Sequence, residues 1–422
     1  MLKFLIKGIF RDRHRYLFPL VLVSVGIAIL VFMLSFITGY MDSFLDHNAS
    51  YQTGHVKVVT RSYAEMINLK PIDAALLEIG PELAQWQDAY PQLEWVRRVT
   101  FGALLDVPDS TGLTREQGDV AGFAIDIFNN PDEVERLKLE SSLVSGEVPN
   151  EPGEILISHK TFEELNLRLG DPVTLIGSTV YGAMAMRNFK VSGSVEFGIS
   201  ALDTGAVVAD ISDVASMFDM PGGAGEILGF FRHGEYRDRE ASELRDDFNS
   251  RFSGDGEFDP VMLTMMEQNN LGYFMKVMDE SLGIMGLVFV ILLGIVLWNS
   301  GLMNGIRRWG EFGVRLAIGE RKAHVYRSLL GEALVICVVG SIIGIILGGL
   351  VSLYFQKNGF DMTAYGQNTT IAANNIINTK INAEVILTAF IPGILATVLG
   401  AALAGIAIFK RQTSQLFKEL ET

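Results

Sequence analysis

Residues 17–40 read LFPLVLVSVGIAILVFMLSFITGY, and this uncharged apolar run decides the fold class. A helix needs roughly 20 apolar residues to cross the ~30 Å hydrocarbon layer of a membrane. Pro19 falls in the first turn of such a helix, where its missing N–H group costs little. The run therefore predicts a membrane-spanning helix. Because it is longer than the apolar region of a signal peptide, we expect it to stay as an anchor.

The charges on either side of this span predict its direction. Cytoplasmic segments of membrane proteins are enriched in Lys and Arg. Five basic residues precede the span, namely Lys3, Lys7, Arg11, Arg13 and Arg15. Asp42 and Asp46 follow it. The N-terminus is therefore predicted to be cytoplasmic, and residues 41–280 are predicted to lie outside the cytoplasm.

The segment before the span, residues 1–16, has an apolar and a basic side. Its apolar residues share one helical face: Leu2, Leu5, Ile6, Ile9 and Phe10. Lys3, Lys7 and Arg11 fall on the opposite face. This pattern predicts a short amphipathic helix on the inner membrane surface, with its cations toward anionic headgroups. A basic flank without helical order is the alternative.

Three further apolar blocks have the length of a span, at residues 282–304, 329–355 and 385–409. Lys and Arg cluster in the loop at 305–328 and begin the tail at 410–422, whereas the loop at 356–384 is nearly uncharged. One orientation therefore satisfies every loop. The sequence predicts four spans with both termini in the cytoplasm.

Residues 41–280 have the composition of a soluble domain. They contain 41 Asp and Glu against 18 Lys and Arg, a net charge of −23, so the rest of the chain carries +8 of the total of −15. Nucleic-acid binding requires basic patches, so this acidity argues against it. The single Cys337 lies in an apolar block and can form no internal disulfide, so the outer domain depends on its own core.

Strand and helix patterns are mixed in this outer segment. Alternating runs rich in β-branched residues predict strands at 55–60, 154–158, 171–177 and 188–197. Helices are predicted at 212–218, with Ser212 as the N-cap, and at 239–252. The segment is therefore predicted to be an α+β domain.

Two helical stalks are predicted to join this domain to the spans. Residues 41–50 extend the first span, and residues 262–281 lead into the second. Five methionines lie in the later stalk: Met262, Met265, Met266, Met275 and Met278. Methionine makes adaptable surfaces suited to variable apolar ligands. Ordinary packing between helices is the alternative explanation.

Motifs for bond chemistry are missing from the sequence. The G-x-x-x-x-G-K-[ST] loop that holds phosphates does not occur, and neither does the G-x-S-x-G turn of hydrolases. The six histidines show no zinc-ligand spacing with cysteine or acids. We therefore predict a non-catalytic chain with no metal and no cofactor of its own.

The loop between the second and third spans is the most informative segment. Together with the third span, residues 306–348 read IRRWGEFGVRLAIGERKAHVYRSLLGEALVICVVGSIIGIILG. It predicts a short helix at 308–318, closed by Gly319 as the C-terminal cap. Arg307, Arg308 and Arg315 could pair with acids on a partner, while Phe312 and Leu316 could fill a groove. The alternative is a basic loop that only sets topology.

A family resemblance rests on this loop. The matching positions are Arg308, Glu311, Phe312, Gly313, Val314, Ala317, Ile318, Gly319 and, at the start of the third span, Glu332. They resemble the FtsX-like permease domain of the type VII ABC transporters, the class of MacB and the lipoprotein-releasing permeases. The sequence departs from the family pattern at Leu316, where a basic residue is common, and at Glu320, where Ala is usual.

Two stretches of the outer domain extend the resemblance. Residues 145–175 and 189–218 are similar to the periplasmic domain of the lipoprotein-releasing permeases LolC and LolE. The resemblance implies a MacB-like periplasmic core domain between the first two of four transmembrane helices. It implies a mechanotransmission permease that extracts lipoproteins from the outer leaflet of a bacterial inner membrane. Export of a drug or peptide, as in MacB, and an FtsX-like signal relay to a wall hydrolase are the alternatives.

The resemblance also implies partners. ATP and Mg²⁺ would be bound by two copies of a separate ATPase, and a second permease, identical or related, would complete the assembly. A periplasmic carrier could receive the lipoprotein. The coupling to the ATPase would fall on seven residues of the loop, namely Arg308, Glu311, Phe312, Gly313, Arg315, Ala317 and Gly319.

Two other residue sets complete the expected sites. We expect contacts with acyl chains from Phe32, Met33, Phe36, Met275 and Met278. The row Gly340, Gly344 and Gly348 is expected to pack helices closely, within the subunit or against a second permease. Glu332 lies near the membrane, where a carboxylate is costly, so we expect a structural pair rather than a transport role.

Overall fold

A computed structural model describes residues 13–109, 111–198, 200–307, 309–361 and 376–410. The predicted helix at 1–16 falls almost entirely outside these residues, as do Arg308 and the tail at 411–422. The chain divides into two compact units. Of the described residues, the helical unit comprises 13–42, 277–307, 309–361 and 376–410, and the sheet unit comprises 43–109, 111–198 and 200–276.

Long helices dominate the helical unit. Their bounds, with the short helix between the second and third, are α1 (Arg13–Asn48), α9 (Leu271–Arg307), α10 (Trp309–Ala317), α11 (Lys322–Asn358) and α12 (Ala383–Lys410). Among the described residues, three stretches are long and apolar enough to cross a membrane: Leu17–Thr53, Leu271–Val296 and Lys322–Asn358. The fourth predicted span coincides with α12, whose 28 residues exceed the length that a span needs.

Three glycines of α11, spaced four residues apart, lie against α1: Gly340, Gly344 and Gly348. A Cβ atom on Gly344 would lie 2.6 Å from the carbonyl oxygen of Ser24, and one on Gly348 would lie 2.6 Å from that of Ala28. Such distances are shorter than any van der Waals contact. The two helices therefore approach as closely as they do only because these positions carry no side chain.

A short hairpin follows α11 and is fixed to the helices. Strand β11 (Phe360–Asp361) pairs with β12 (Ile376–Ile377) in antiparallel fashion. The Lys380 backbone N–H donates to the Ser35 carbonyl of α1 at 2.9 Å, and its ammonium lies 2.9 Å from Asp42. Thr379 donates to the Ser352 carbonyl of α11. The segment before α12 is thereby tied to both α1 and α11.

The sheet unit is built on one mixed sheet of ten strands. The strands are β1 (Val56–Thr60), β2 (Leu93–Pro108), β3 (Thr114–Ile125), β4 (Leu143–Gly146), β5 (Glu154–Ser158), β6 (Pro172–Ser178), β7 (Met184–Val195), β8 (Ala206–Asp210), β9 (Glu226–Phe231) and β10 (Pro260–Thr264). Their order is β10-β1-β9-β2-β3-β8-β5-β7-β4, and β6 pairs with β2 and β7. The pairs β3–β8 and β5–β7 are parallel, and the other pairs are antiparallel.

Helices connect the strands of this sheet. Those described are α2 (Arg61–Glu65), α3 (Gly80–Ala89), α4 (Pro131–Arg136), α5 (His159–Glu164), α6 (Ser200–Asp203), α7 (Ile211–Met217) and α8 (Asp238–Phe252). Separate buried clusters form around Leu105 and Phe218, around Trp86 and Phe248, and around Leu137. The unit contains both helices and strands, as predicted for an α+β domain.

Two local predictions were wrong. Residues 262–281 do not form one helix, because residues 260–264 are strand β10, which pairs with β1, and the helix begins at Leu271. Asn249 replaces a missing strand partner there: its side-chain amide donates to the Met262 carbonyl and accepts from the Met262 N–H. The N-cap of α7 is Asp210 rather than Ser212, since the Asp210 carboxylate accepts from the Ser212 N–H.

The end of α1 lies beside the start of α9 in the sheet unit. Phe44 and Phe274 contact each other with ring centroids 5.2 Å apart. Gln268 donates to the carbonyl of Thr53, which ends a five-residue π-helix after α1. Asn269 donates to the Gln52 side chain. The two chain segments that enter the domain are therefore bound to each other.

A buried ion pair fixes the end of α1 to the sheet. Arg98 of β2 binds Glu133 of α4 through two nitrogens, at 3.0 Å each, and both side chains are almost fully buried. The third guanidinium nitrogen of Arg98 donates to the Ser50 carbonyl at 2.5 Å. Arg136 contacts the same Glu133 and lies 4.0 Å above the Phe230 ring. A cation at the last carbonyls of a helix is favourable, so Arg98 stabilises this junction.

A second buried ion pair lies beside the first, since Glu226 of β9 is the cross-strand neighbour of Arg98 in β2. Lys57 of β1 lies 2.7 Å from Glu226 of β9, and Tyr63 donates to the same carboxylate. Burial lowers the pKa of Lys57, although Glu226 partly offsets this effect. Burial alone would raise the pKa of Glu226, but Lys57 holds it below its usual range. The pair thus links two neighbouring strands to α2.

The glycine contact yields a prediction for α11. We expect Gly344→Ile to destabilise the protein by about 2 kcal/mol or more, because the new side chain must displace the backbone of α1. Gly349→Ile is the matched control, since a Cβ at Gly349 meets no atom within 4 Å. Thermal unfolding of the purified chain in detergent measures both. Equal stability of the two variants would contradict the close α1–α11 contact.

The buried ion pair yields a second prediction. Arg98→Met should destabilise the sheet unit by about 3 kcal/mol, because it leaves the Glu133 charge buried with one partner fewer. Adding Glu133→Leu should recover most of that loss. Denaturant unfolding can be followed through Trp86 and Trp95 of the buried core, with Trp298 and Trp309 replaced by Phe. Arg97→Met, at the more exposed pair with Asp126, is the control. If it lowered the free energy of unfolding as much as Arg98→Met does, burial would not explain the effect.

Candidate coupling helix

Helix α10 (Trp309–Ala317) has a defined end. Gly319 has a φ of 94°, a conformation that side chains disfavour, and its N–H donates to the Leu316 carbonyl. The Glu320 N–H donates to the Arg315 carbonyl. These bonds satisfy carbonyls that the helix would otherwise leave free. The chain thereby reverses between α10 and α11 within four residues, 318–321.

One face of α10 packs on α11. Leu316 of α10 and Leu329 of α11 both pack against Val325, which is fully buried. Gly313 is also buried. The helix is therefore held through apolar contacts on this face.

The other face of α10 is open and partly apolar. Val314 is 49% exposed, and Ile318, in the turn after the helix, is 80% exposed. Glu311 precedes Val314 by one turn and is exposed as well. Large exposed apolar side chains beside an acid are typical of a surface that binds another protein.

Arg315 forms an ion pair within the chain. Its Nε lies 2.6 Å from one Glu320 carboxylate oxygen, and an Nη lies 2.7 Å from the other. His324 lies 3.4 Å from the same carboxylate. The hydrogen bonds from Arg315 lower the pKa of Glu320, so the carboxylate is charged at neutral pH. Sequence reasoning had left Arg315 open to pair with a partner.

The structure brings together only part of the predicted coupling set. Glu311, Gly313, Arg315, Ala317 and Gly319 all lie on α10 or in the turn after it. Arg308 lies outside the described residues, and so does the side chain of Phe312. Glu332 lies on α11 and is partly buried. Sequence reasoning missed the role of Glu320, although its spacing of five from Arg315 across a glycine turn was visible.

The predicted acyl-contact residues fall in two places. Phe32 and Phe36 of α1 join an aromatic cluster in the helical unit, where Phe32 lies 5.8 Å from Phe355 and Phe36 lies 5.9 Å from Phe360, measured between ring centroids. Met33 is half-buried beside them in sequence. Phe355 and Phe360 were missed, because their proximity depends on how α11 packs on α1.

The two predicted methionines lie on α9. Met275 belongs to the sheet unit and packs against a cluster that contains Phe44 and Leu271. Met278 belongs to the helical unit and is half-buried. The two methionines therefore belong to different units.

Helix α9 exposes apolar side chains along its predicted span. None of the residues in its most apolar 18-residue window is buried within the described chain. Side chains exposed by half or more include Ile284, Leu287, Val288, Ile291, Leu292 and Ile295. Such a row is suited to contact with lipid or with another membrane helix.

A metal site is not formed by the residues that the structure describes, since no group of three His, Cys, Asp or Glu is arranged to hold an ion. Lys57 and Glu226 form a buried structural pair with lowered pKa values, and the hydrogen bonds from Arg315 lower the pKa of Glu320.

Comparison with known families gives two matches. The MacB-like periplasmic core domain matches residues 20–236, slightly more than half of the chain. The C-terminal domain of FtsX-like permeases matches residues 283–413, which contain α10. Together the two matches cover most of the sequence.

Individual relatives match over only a short part of the chain. Macrolide export ATP-binding/permease proteins MacB from Neisseria meningitidis serogroup A and from Mannheimia succiniciproducens are 33% and 34% identical over 95 and 107 residues. These segments are 21% and 25% of this chain but only 15% and 16% of those proteins. The periplasmic region of MacB from Actinobacillus actinomycetemcomitans aligns with half of this chain and 90% of that region, at 11% identity and a TM-score of 0.34.

The domain match over more than half of the chain and the permease match around α10 agree with each other. The chain belongs to the FtsX-like, MacB-type permeases of ABC transporters.

Proposed function

We propose that this permease transmits force from a separate ATPase to the outer domain. The observation that carries the proposal is α10: a short helix packed on α11 through Leu316, with Glu311, Val314 and Ile318 on its open face. Two copies of the ATPase would bind ATP and Mg²⁺ and push on α10 as they close. The push would then reach the sheet unit along α1 and α9, which continue into it.

A second permease, identical or related, completes the assembly in this proposal. The exposed apolar row on α9 supports it, because a membrane helix with large apolar side chains can associate with a second copy through packing alone. In the proposed orientation the protein spans a bacterial inner membrane four times, and both termini are cytoplasmic. The basic loops of the sequence support that direction.

The proposed cargo is a lipoprotein taken from the outer leaflet. The similarity of residues 145–175 and 189–218 to lipoprotein-releasing permeases supports this. So does the aromatic cluster of Phe32, Phe36, Phe355 and Phe360, which offers a half-buried apolar surface for acyl chains. An amphiphile would enter sideways from the membrane and leave to a periplasmic carrier.

Export of a drug or peptide is the second candidate. The relatives from Neisseria and Mannheimia carry the name of macrolide exporters, and the periplasmic family match is to the MacB-like domain. The fold and the coupling helix serve either cargo equally well. The two candidates differ only in what leaves the membrane.

A prediction for α10 tests the force-transmission proposal. The double variant Val314→Asp, Ile318→Asp should weaken binding of the P-loop ATPase that co-purifies with the wild type by more than tenfold, because it puts charge into an apolar contact. Affinity in detergent without nucleotide measures this. Leu113→Asp, at an exposed leucine in the β2–β3 turn, is the matched control. Undiminished binding by the double variant would remove α10 from the ATPase contact.

A second experiment distinguishes the cargoes. On depletion of the chain in its host, lipid-anchored proteins should accumulate in the inner membrane. Phe36→Ala should slow release of a triacylated reporter several-fold, because it opens the aromatic cluster, whereas Phe18→Ala, at an exposed site of α1, should not. Macrolide sensitivity without lipoprotein accumulation would favour the export candidate instead.

A further inference from the structure

The turn between α10 and α11 contains a carboxylate with partners on both helices. Glu320 accepts two hydrogen bonds from Arg315 of α10, at 2.6 and 2.7 Å, and lies 3.4 Å from His324 of α11. The side chains of Arg315 and Glu320 are 31% and 26% exposed, so both lie partly covered at the turn. The carboxylate therefore bridges the two helices at their junction.

We propose that Arg315 is a positioning residue that acts on its own chain: with Glu320 it fixes the direction of α10 relative to α11, and it does not contact the ATPase. This inference deepens the proposed function and rests on it. The family match covers this loop but assigns no role to either residue.

The geometry of the pair carries the argument. Two parallel N–H···O bonds between a planar guanidinium and a carboxylate define an orientation as well as a distance. An acid on a partner would have to displace Glu320 and break both charge-assisted bonds to bind Arg315 in the same way. Glu320 is tethered five residues away across a tight turn, so it competes at a very high local concentration.

The remaining contacts of α10 explain why the Arg315–Glu320 pair is needed to fix its direction. The helix has nine residues, and within the described part of the chain its apolar anchor on α11 is the small cluster of Leu316, Val325 and Leu329. Helices this short are marginal on their own. One small apolar cluster is compatible with rotation of α10, whereas a bidentate pair on the adjoining turn opposes it. A push on the open face then moves α11 as well as α10.

Charge reversal tests the pairing. Arg315→Glu and Glu320→Arg should each reduce binding and stimulation of the co-purifying ATPase at least fivefold, because each places two like charges together. The double variant Arg315→Glu, Glu320→Arg should restore both to within twofold of the wild type. Arg321→Glu, an exposed neighbour with the same change in charge, is the control and should change neither by more than twofold.

Failure of the double variant to recover while Arg315→Glu is impaired would show that Arg315 contacts the partner, and would overturn the inference. Full function in either single variant would overturn it as well. Amide hydrogen exchange of residues 309–317 in the full chain gives a readout that needs no ATPase. It should rise in both single variants and return in the double variant. If that pattern appears but the wild type binds no ATPase, the proposed function fails and the intrachain pair stands.

Discussion

Backbone contact between α1 and α11 sets the geometry of the helical unit. Apolar helices gain little from the hydrophobic effect inside a membrane, so they associate through close packing. Gly340, Gly344 and Gly348 remove the side chains that would keep α1 away. The aromatic cluster and the Lys380–Asp42 pair depend on that approach, because each joins residues of α1 to residues on or beyond α11.

In the sheet unit the constraint is different. Two helices that are far apart in the sequence both continue into it, and their ends must be held in a fixed arrangement. Apolar contacts such as Phe44 with Phe274 bring these two helix ends together, but they do not fix a direction. The direction is fixed by the Arg98–Glu133 pair and by the bond from Arg98 to the Ser50 carbonyl. A buried ion pair contributes little net stability compared with apolar residues, so its value here is the specific geometry that it imposes.

Sequence patterns predicted much of this architecture, and their failures have physical causes. Periodicity located strands such as Glu154–Ser158 and the helix ended by Gly319, because both depend on local backbone preference. It failed at residues 262–264, where pairing with β1 places Met262 and its two neighbours in a sheet although they suit a helix. The ion pairs of Arg98 and Lys57 could not be predicted, because they join residues that are far apart in the sequence. Helix α10 was predictable as an element, whereas the pairing of Arg315 depended on the turn that follows it.

The same kind of ion pair occurs at both ends of the proposed route of force, in the turn after α10 and in the sheet unit. At Arg98 and at Arg315, a guanidinium binds a carboxylate through two nitrogens beside a helix terminus. A planar fork resists rotation, which a cluster of aliphatic side chains permits. Force transmission demands resistance to rotation at the joints and tolerates freedom elsewhere. The charged pairs therefore lie at the two junctions where the proposed transmission of force would be lost if a helix turned about its own axis.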